Sequence, residues 1–535
     1  MTGVVKYKID ILIFLLLAVF LFGCQPDYKM PDDHIRIRIA SDPATLNPIT
    51  SSDSYASQIN NYIFDSLIKL DKETLEIKPH IATHWDISED KKIYTFYLRK
   101  DVTWQDGQPF TAEDIVYTYN NVFMNPELKA PALKSYYKDI KRVYKKDEYT
   151  VVFEYDKIYF RALLMCGAFP TVPKHIVSQY KDFDASPFSR HPIGNGPYKF
   201  KEWVTNGRIV LELNENYWGK KPAIRVIDFR VIADSAIALQ ILKKGELDLF
   251  GLSSIQWARQ TESKKFKEQF QVIMYPSKGY SFLGWKNDHP FFSDVRVRHA
   301  MTHLIDRQKI NEKMYFGLGI VVTGPFYPYS KQYNQDVKPL KYDLEKAKEL
   351  LSEAGWRDSD GDGILDKDGK KFEFTFLFPG SKTGERLGTI YKEQLKKAGI
   401  IMNMSRMEWA AFLNKLDKRD FELVVLAWST PIESDPYQLW HKSQAAKERS
   451  SNFIGFVHDE ASALIDKARV EFNEEKRNKM YWRFHEIIAK EQPYTFLFNQ
   501  PSILAVSRRF GNVIIYKTGI DIKEWTIKSG SQDKK

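Results

Sequence analysis

Between Ala82 and Tyr117 the chain packs a hairpin and a helix start into under forty residues. Tyr94, Phe96 and Leu98 alternate with Thr95 and Tyr97, the period of a half-buried strand. Asp106-Gly107 marks a turn. Thr111 with Asp114 three residues later forms an acidic variant of the capping box, set just before the apolar positions Ile115, Val116 and Tyr119.

The rest of the chain supplies a large core. Of its 535 residues, 43% are hydrophobic and 28% charged, a globular balance with room for two or three domains or one large discontinuous one. The aromatic share of 14% suits either a lined cleft or a big core. The formal charge of +10 is spread along the sequence without a Lys/Arg block, which speaks against a nucleic-acid partner.

At the N-terminus, Lys6 and Lys8 precede an apolar run from Ile11 to Leu21, too short to span a bilayer comfortably and flanked like a signal peptide. Leu21-Phe-Gly-Cys24 resembles a bacterial lipobox with a bulky Phe22 at its second position. That resemblance implies cleavage before Cys24 and a lipid on its sulfur, anchoring the protein to a membrane at the periplasmic or outer cell surface. Residues 1–23 then form the signal peptide and 24–33, polar with two prolines, the tether. Cys166, the second of two cysteines, lies in an apolar context and reads as a buried structural thiol.

Further blocks punctuate the chain. His34–Ile39 alternates strictly and reads as the first strand. Pro192-Ile-Gly194-Asn-Gly196-Pro-Tyr198 is a rigid turn before the strands 198–203 and 209–213, and Asn214-Glu-Asn-Tyr217-Trp218 follows. A helix over 236–249 ends near Gly245-Glu-Leu-Asp248, and a long helical pattern runs over 464–490. Pro290-Phe-Phe-Ser-Asp294-Val-Arg296-Val-Arg298 leads to Ile305-Asp306-Arg307.

Taken in order, these blocks resemble the peptide- and nickel-type solute-binding proteins that feed ABC importers (bacterial extracellular solute-binding protein family 5). Its pattern reads A-x-x-W, a strand ending in L-R, W-x-D-G-x-P-x-T-A-x-D-V, then P-x-G-x-G-P-Y, N-x-x-Y-W and P-x-x-D-x-R-V-R. The resemblance implies an α/β, bilobal periplasmic-binding-protein fold (type II, cluster C-like) with discontinuous lobes. Lobe I would hold 34–75, 187–275 and 490–527, an inserted subdomain 76–186, and lobe II 276–489. Ligand would lie between lobes that close by a hinge. The implied partners are an ABC permease and its ATPase, with the protein itself a monomer.

For metals, Asp358-Ser-Asp360-Gly-Asp362-Gly with Asp366 has the oxygen spacing of a calcium loop, but Gly369 stands where the bidentate glutamate belongs. A structural Ca2+ and a solvated acidic turn both fit. The pairs His80/His84 and His299/His303 lack a third ligand, and His485-Glu486 lacks the second histidine of a zincin. No nucleophile elbow, phosphate loop or cysteine pair occurs, so the residues give no support to an enzyme, and no other cofactor is implied.

Ligand residues are expected on Trp428-Ser429-Thr430-Pro431-Ile-Glu433-Ser-Asp435, the loop after the buried strand 421–427. The family's peptide binders read W-x-x-D here, and that aspartate pairs with the ligand's ammonium group. Pro431 occupies the position in this chain, leaving Glu433 or Asp435 to substitute. Family position also implies Asp53 and Tyr55 after the first strand, Tyr280 and Phe282 on a strand that would pair with an extended ligand, Trp409 as a pocket wall, and Asn452. For each aromatic, core packing is the competing reading. The expected ligand is an oligopeptide or related small solute. A nickel chelate, haem, sugar or opine is the alternative, as is a signalling or chaperone-like lipoprotein without transport.

Overall fold

The computed structural model describes residues 32–51, 53–128 and 130–528. Cys24, the signal peptide and nearly all of the tether lie outside the described residues.

His34–Ile39 buries Ile35, Ile37 and Ile39 while its alternate positions stay half-exposed. It runs parallel to Val226–Val231 and Leu249–Gly251 inside a seven-stranded sheet. Arg208–Leu213 and Tyr198–Val204 extend that sheet on one side, Pro501–Ser507 and Phe270–Pro276 on the other. Lobe I is therefore assembled from segments hundreds of residues apart, and buried charge joins them. The Asp248 carboxylate receives Arg36 Nε at 2.8 Å from the first strand and Arg509 Nε at 2.9 Å from the C-terminal segment.

The Ala82–Tyr117 stretch builds the inserted subdomain. Ala82–Ile87, Ile93–Leu98, Thr150–Tyr155 and Ile140–Asp147 form an antiparallel sheet in that order. Tyr94, Phe96 and Leu98 are buried as their alternation requires, and Gly107 takes φ +92° at the turn. The Thr111 N–H donates to Asp114 Oδ2 at 3.0 Å, completing the cap of helix Ala112–Tyr117.

Lobe II is a mixed five-stranded sheet ordered Ile401–Met407, Glu373–Pro379, Leu423–Ser429, Gly279–Trp285, Tyr494–Phe496. The last strand corrects the boundary expected at 490. Tyr494, Thr495 and Phe496 are all buried, and the Tyr494 ring stacks on Phe282 at 3.9 Å, so they belong to lobe II. Phe498–Asn499 still pairs with Ile320–Val321 of lobe II, and the chain enters the lobe I sheet at Pro501. The helical pattern over 464–490 is likewise two helices, Asp459–Arg469 and Glu474–Glu491, the second capped by Asn473.

His485, on that second helix, packs in the core rather than serving as a ligand. Its Nδ1 accepts the Asn334 N–H at 3.1 Å and its Nε2 meets Thr323 Oγ1 at 2.9 Å. Burial pushes the imidazole from 6.5 down to about 4, against an opposing pull from Thr323. The unfolded chain therefore binds the extra proton first as pH falls. Stability present above pH 6.5 is lost progressively down to about pH 4, at a cost of about 3 kcal/mol. Urea titrations at pH 7 and pH 4.5 should show this loss, and His485→Gln should flatten it.

Candidate functional site

A cleft of about 1570 Å³ separates lobe I from lobe II, with Tyr136 of the inserted subdomain reaching its edge. On the lobe I side, helix Ser54–Ile63 presents Ser54, Ser57, Gln58 and Asn61, one polar face at helical spacing. Asp53 caps this helix, accepting the Ala56 N–H at 2.8 Å, and also lines the cleft. Tyr55, on the flank of this helix, packs half-buried against the lobe I core and is not among the residues lining the cleft.

Charged groups on this wall are largely paired. Asp65 receives the Tyr217 hydroxyl at 2.6 Å and faces His80 Nε2 at 3.2 Å. Burial would raise its carboxyl, but His80 and Tyr217 more than offset that and hold it low. Lys72 bridges Asp521 at 2.5 Å and Glu524 at 2.6 Å. The sequence marks His80 and Tyr217 only as parts of local motifs and Asp65, Lys72, Asp521 and Glu524 not at all, because the segments 65–80, 217 and 516–524 meet only in the folded lobe.

Lobe II supplies the aromatic wall. Helix Trp409–Asp417 turns Trp409, Leu413, Leu416 and Asp417 into the cleft, a helical face with its tryptophan 38% exposed. Burial raises the Asp417 carboxyl, and Arg449 at 3.8 Å opposes this. Trp428 lines the cleft half-buried, stacked against Phe282 at 6.2 Å and tilted against Phe453 at 6.0 Å. Ser429 and Thr430 follow it on the wall, the Thr430 N–H donating to Lys278 O at 3.0 Å.

Other expected ligand residues are structural. Tyr280 and Phe282 are buried in the lobe II core and do not line the cleft. Their strand pairs along its length with Leu423–Ser429 on one edge, and at Phe282–Gly284 also with Tyr494–Phe496 on the other, so a ligand strand has no free edge at Phe282. Asn452 is buried, donating to Phe456 O and accepting the Phe456 N–H, both at 2.9 Å, which closes the turn before Phe456.

Both acids of the loop are already paired within the protein. Glu433 turns out of the cleft to Arg477 at 2.5 Å. Asp435 borders the cleft, but its fully buried carboxylate accepts Arg469 Nη1 at 2.7 Å, the Tyr159 hydroxyl at 2.8 Å and the Tyr437 N–H at 3.0 Å. A buried charge needs such partners, and Arg469 already supplies its counter-charge.

Away from the cleft, Asp358, Asp360 and Asp366 bring carboxylate oxygens within 4.8 Å of one another. Asp362 is not part of this group. Lys371 Nζ sits 2.6 Å from Asp360 and 2.8 Å from Asp362, an ammonium within the acidic loop. Both Asp358 oxygens already accept backbone N–H groups, from Gly361 and Gly363.

Two lobes, an intervening cleft with an aromatic wall, and adjacent crossover segments define a cleft-type solute-binding protein. Residues 76–449 match the family described as bacterial extracellular solute-binding proteins, family 5 Middle. The chain belongs to that family. Over 468 residues it is 33% identical to the oligopeptide-binding protein AppA of Bacillus subtilis, covering 85% of this chain and 84% of that one. The structure of Bacillus subtilis AppA in complex with a nonapeptide superposes with a TM-score of 0.86 at 28% identity, over 92% of this chain and 99% of that one. Campylobacter jejuni NikZ, in complex with Ni(L-His), gives a TM-score of 0.82 at 25% identity, over 93% of this chain and all of that one. Among the described residues, no helix is long and apolar enough to cross a membrane.

Proposed function

We propose that this protein captures oligopeptides in the interlobe cleft and delivers them to the permease and ATPase of an ABC importer, working as a monomer tethered through lipidated Cys24. The cleft volume carries the reading. Small-molecule sites occupy roughly 300–1,000 Å³, and the 1570 Å³ here suits a longer chain. Four tryptophans, Trp218, Trp409, Trp428 and Trp440, and a row of hydroxyl and amide side chains suit peptide groups and varied side chains. Likeness to a nonapeptide-bound AppA supports it. A nickel chelate, as held by NikZ, fits less well. Among the described residues the one histidine lining the cleft, His80, already faces Asp65. Capture and release involve no covalent chemistry.

Isothermal titration of ligand-stripped protein tests this. Synthetic peptides of four to nine residues should bind with micromolar or tighter Kd, and Ni(L-His) should not. Binding of the chelate alone would overturn the peptide reading.

We also propose that the Asp358–Asp366 loop needs no calcium, because Lys371 supplies its positive charge. Millimolar Ca2+ should then leave the Tm of the wild type unchanged within about 1 °C, by the small-shift limit of weak ligand linkage. Lys371→Met, which removes the competing ammonium, should make Tm calcium-dependent.

A further inference from the structure

The inserted subdomain is attached covalently to lobe I, yet it also touches lobe II along a seam beside the cleft. Lobe II itself joins the rest of the chain at only two adjacent places. Pro276 pairs with Pro501 at the lobe I end. Asn499 Nδ2 then bridges the two crossing segments, donating to Ser277 O at 2.7 Å and Gly279 O at 2.6 Å. Such a two-segment connection lets lobe II swing, and any swing must make or break the seam.

The seam is built from charge and aromatic faces. From the inserted subdomain, the Tyr159 hydroxyl donates to Asp435 Oδ2 at 2.8 Å, Asp139 Oδ2 accepts Arg469 Nη2 at 3.3 Å, and the Phe160 N–H donates to Arg469 O at 2.9 Å. The Arg469 guanidinium lies over the Tyr159 ring at 4.4 Å and Arg477 over the Phe160 ring at 4.2 Å. We infer that this Asp139–Arg469–Asp435–Tyr159 seam is a closure latch: it forms when the lobes shut on a solute and opens when the solute leaves. The inference rests on reading the protein as a solute-binding protein that closes.

Three observations carry it. First, among the described residues no buried apolar cluster spans the seam; the subdomain core is shared with lobe I residues such as Ile49, Leu67 and Phe188 but contains none from lobe II, and the lobe II cores contain none from the subdomain. A hydrophobic seam would weld the bodies together, whereas a buried ion pair returns little net free energy once its desolvation is counted, which suits reversible contact. Second, opening strands no buried charge on lobe II. Asp435 keeps Arg469 and the Tyr437 N–H, and Arg477 keeps Glu433 and Glu471 O. Asp139 keeps Lys138 at 3.1 Å. Third, Asp435 ends the loop that begins at the cleft wall with Trp428, and Tyr136 lines the cleft from the subdomain side. A solute seated against that loop therefore bears on the latch. Asp139 and Tyr159 act as positioning residues in capture.

Hydrogen exchange on ligand-stripped protein tests the latch without any solute. The Phe160 amide should exchange at least 100-fold faster than the amides of strand Thr150–Tyr155 in the same subdomain. Equal protection would mean a permanent interface and would overturn the inference, whether or not the solute is a peptide. A second arm uses the pair Asp139→Asn and Tyr159→Phe, which removes cross-seam partners and leaves every lobe II contact in place. With a synthetic hexapeptide that binds the wild type, its dissociation rate should rise at least 10-fold and its association rate stay within threefold. Unchanged dissociation would sink the latch while leaving peptide capture intact. If no peptide binds the wild type, the ligand reading fails and the exchange arm alone decides the latch.

Discussion

Trp428→Ala should weaken peptide capture by about 2–4 kcal/mol, roughly 30- to 1,000-fold in Kd, the range of a central aromatic anchor. Trp428 fits that role because its ring is fixed before ligand arrives. Phe282 and Phe453 flank it, and its Nε1–H reaches the Tyr494 hydroxyl at 3.4 Å. A rigid ring presents area to a ligand at little entropic cost. The same packing means that truncation also loosens the lobe II core, so binding must be compared at temperatures where both proteins are folded. Trp428→Phe separates the effects, keeping most of the aromatic packing while losing the indole N–H. Calorimetric Kd values for one hexapeptide across the series check the prediction, and unchanged affinity in the alanine variant would remove Trp428 from the ligand wall.

Asp248→Ala should cost about 3–5 kcal/mol of stability, the cost of breaking a buried ion pair and stranding its partners. Arg36 and Arg509 converge on this carboxylate from opposite ends of the chain, so its loss unstitches the first strand from the C-terminal segment. Burial alone would raise the Asp248 carboxyl, but the hydrogen bonds from Arg36 and then Arg509 hold it below its ordinary value of 3.8. A depressed folded value gives stability that is full above the unfolded pKa and is lost as pH falls through the folded one. The wild type should therefore shed this contribution below about pH 4. Asp248→Ala should lack that acid-linked loss while being less stable at pH 7, as measured by urea midpoints at pH 7 and pH 3.5.

Local pattern made much of the fold legible. Strict alternation in His34–Ile39, the Asp106-Gly107 turn and the Thr111/Asp114 cap each reappear as read, because short-range sterics and hydrogen bonding decide them, whereas the strand Ile93–Leu98 buries Thr95 along with Tyr94, Phe96 and Leu98. What the sequence hid was partnership at a distance. Glu433 and Asp435 read as free acids until Arg477 and Arg469, 44 and 34 residues further on, are seen against them. Tyr280 and Phe282 carry no mark distinguishing a cleft strand from a central one, since the strand Tyr494–Phe496 that covers their edge comes some 210 residues later. Ser57, Gln58 and Asn61 are a different case. Their helical spacing from Ser54 was readable, and it puts Tyr55 on the core face.

The opening stretch, Ala82 to Tyr117, marks the family but sits in the inserted subdomain, with no residue lining the cleft. On the lobe II wall, both carboxylates of the Trp428–Pro436 loop are already paired, Asp435 with Arg469 and Glu433 with Arg477. The most direct test of capture is native mass spectrometry of the mature protein purified from its own cells without a denaturing step. The account predicts a distribution of added masses that resolve into peptides on dissociation and vanish in Trp428→Ala. A single adduct of a metal chelate or a porphyrin would contradict it.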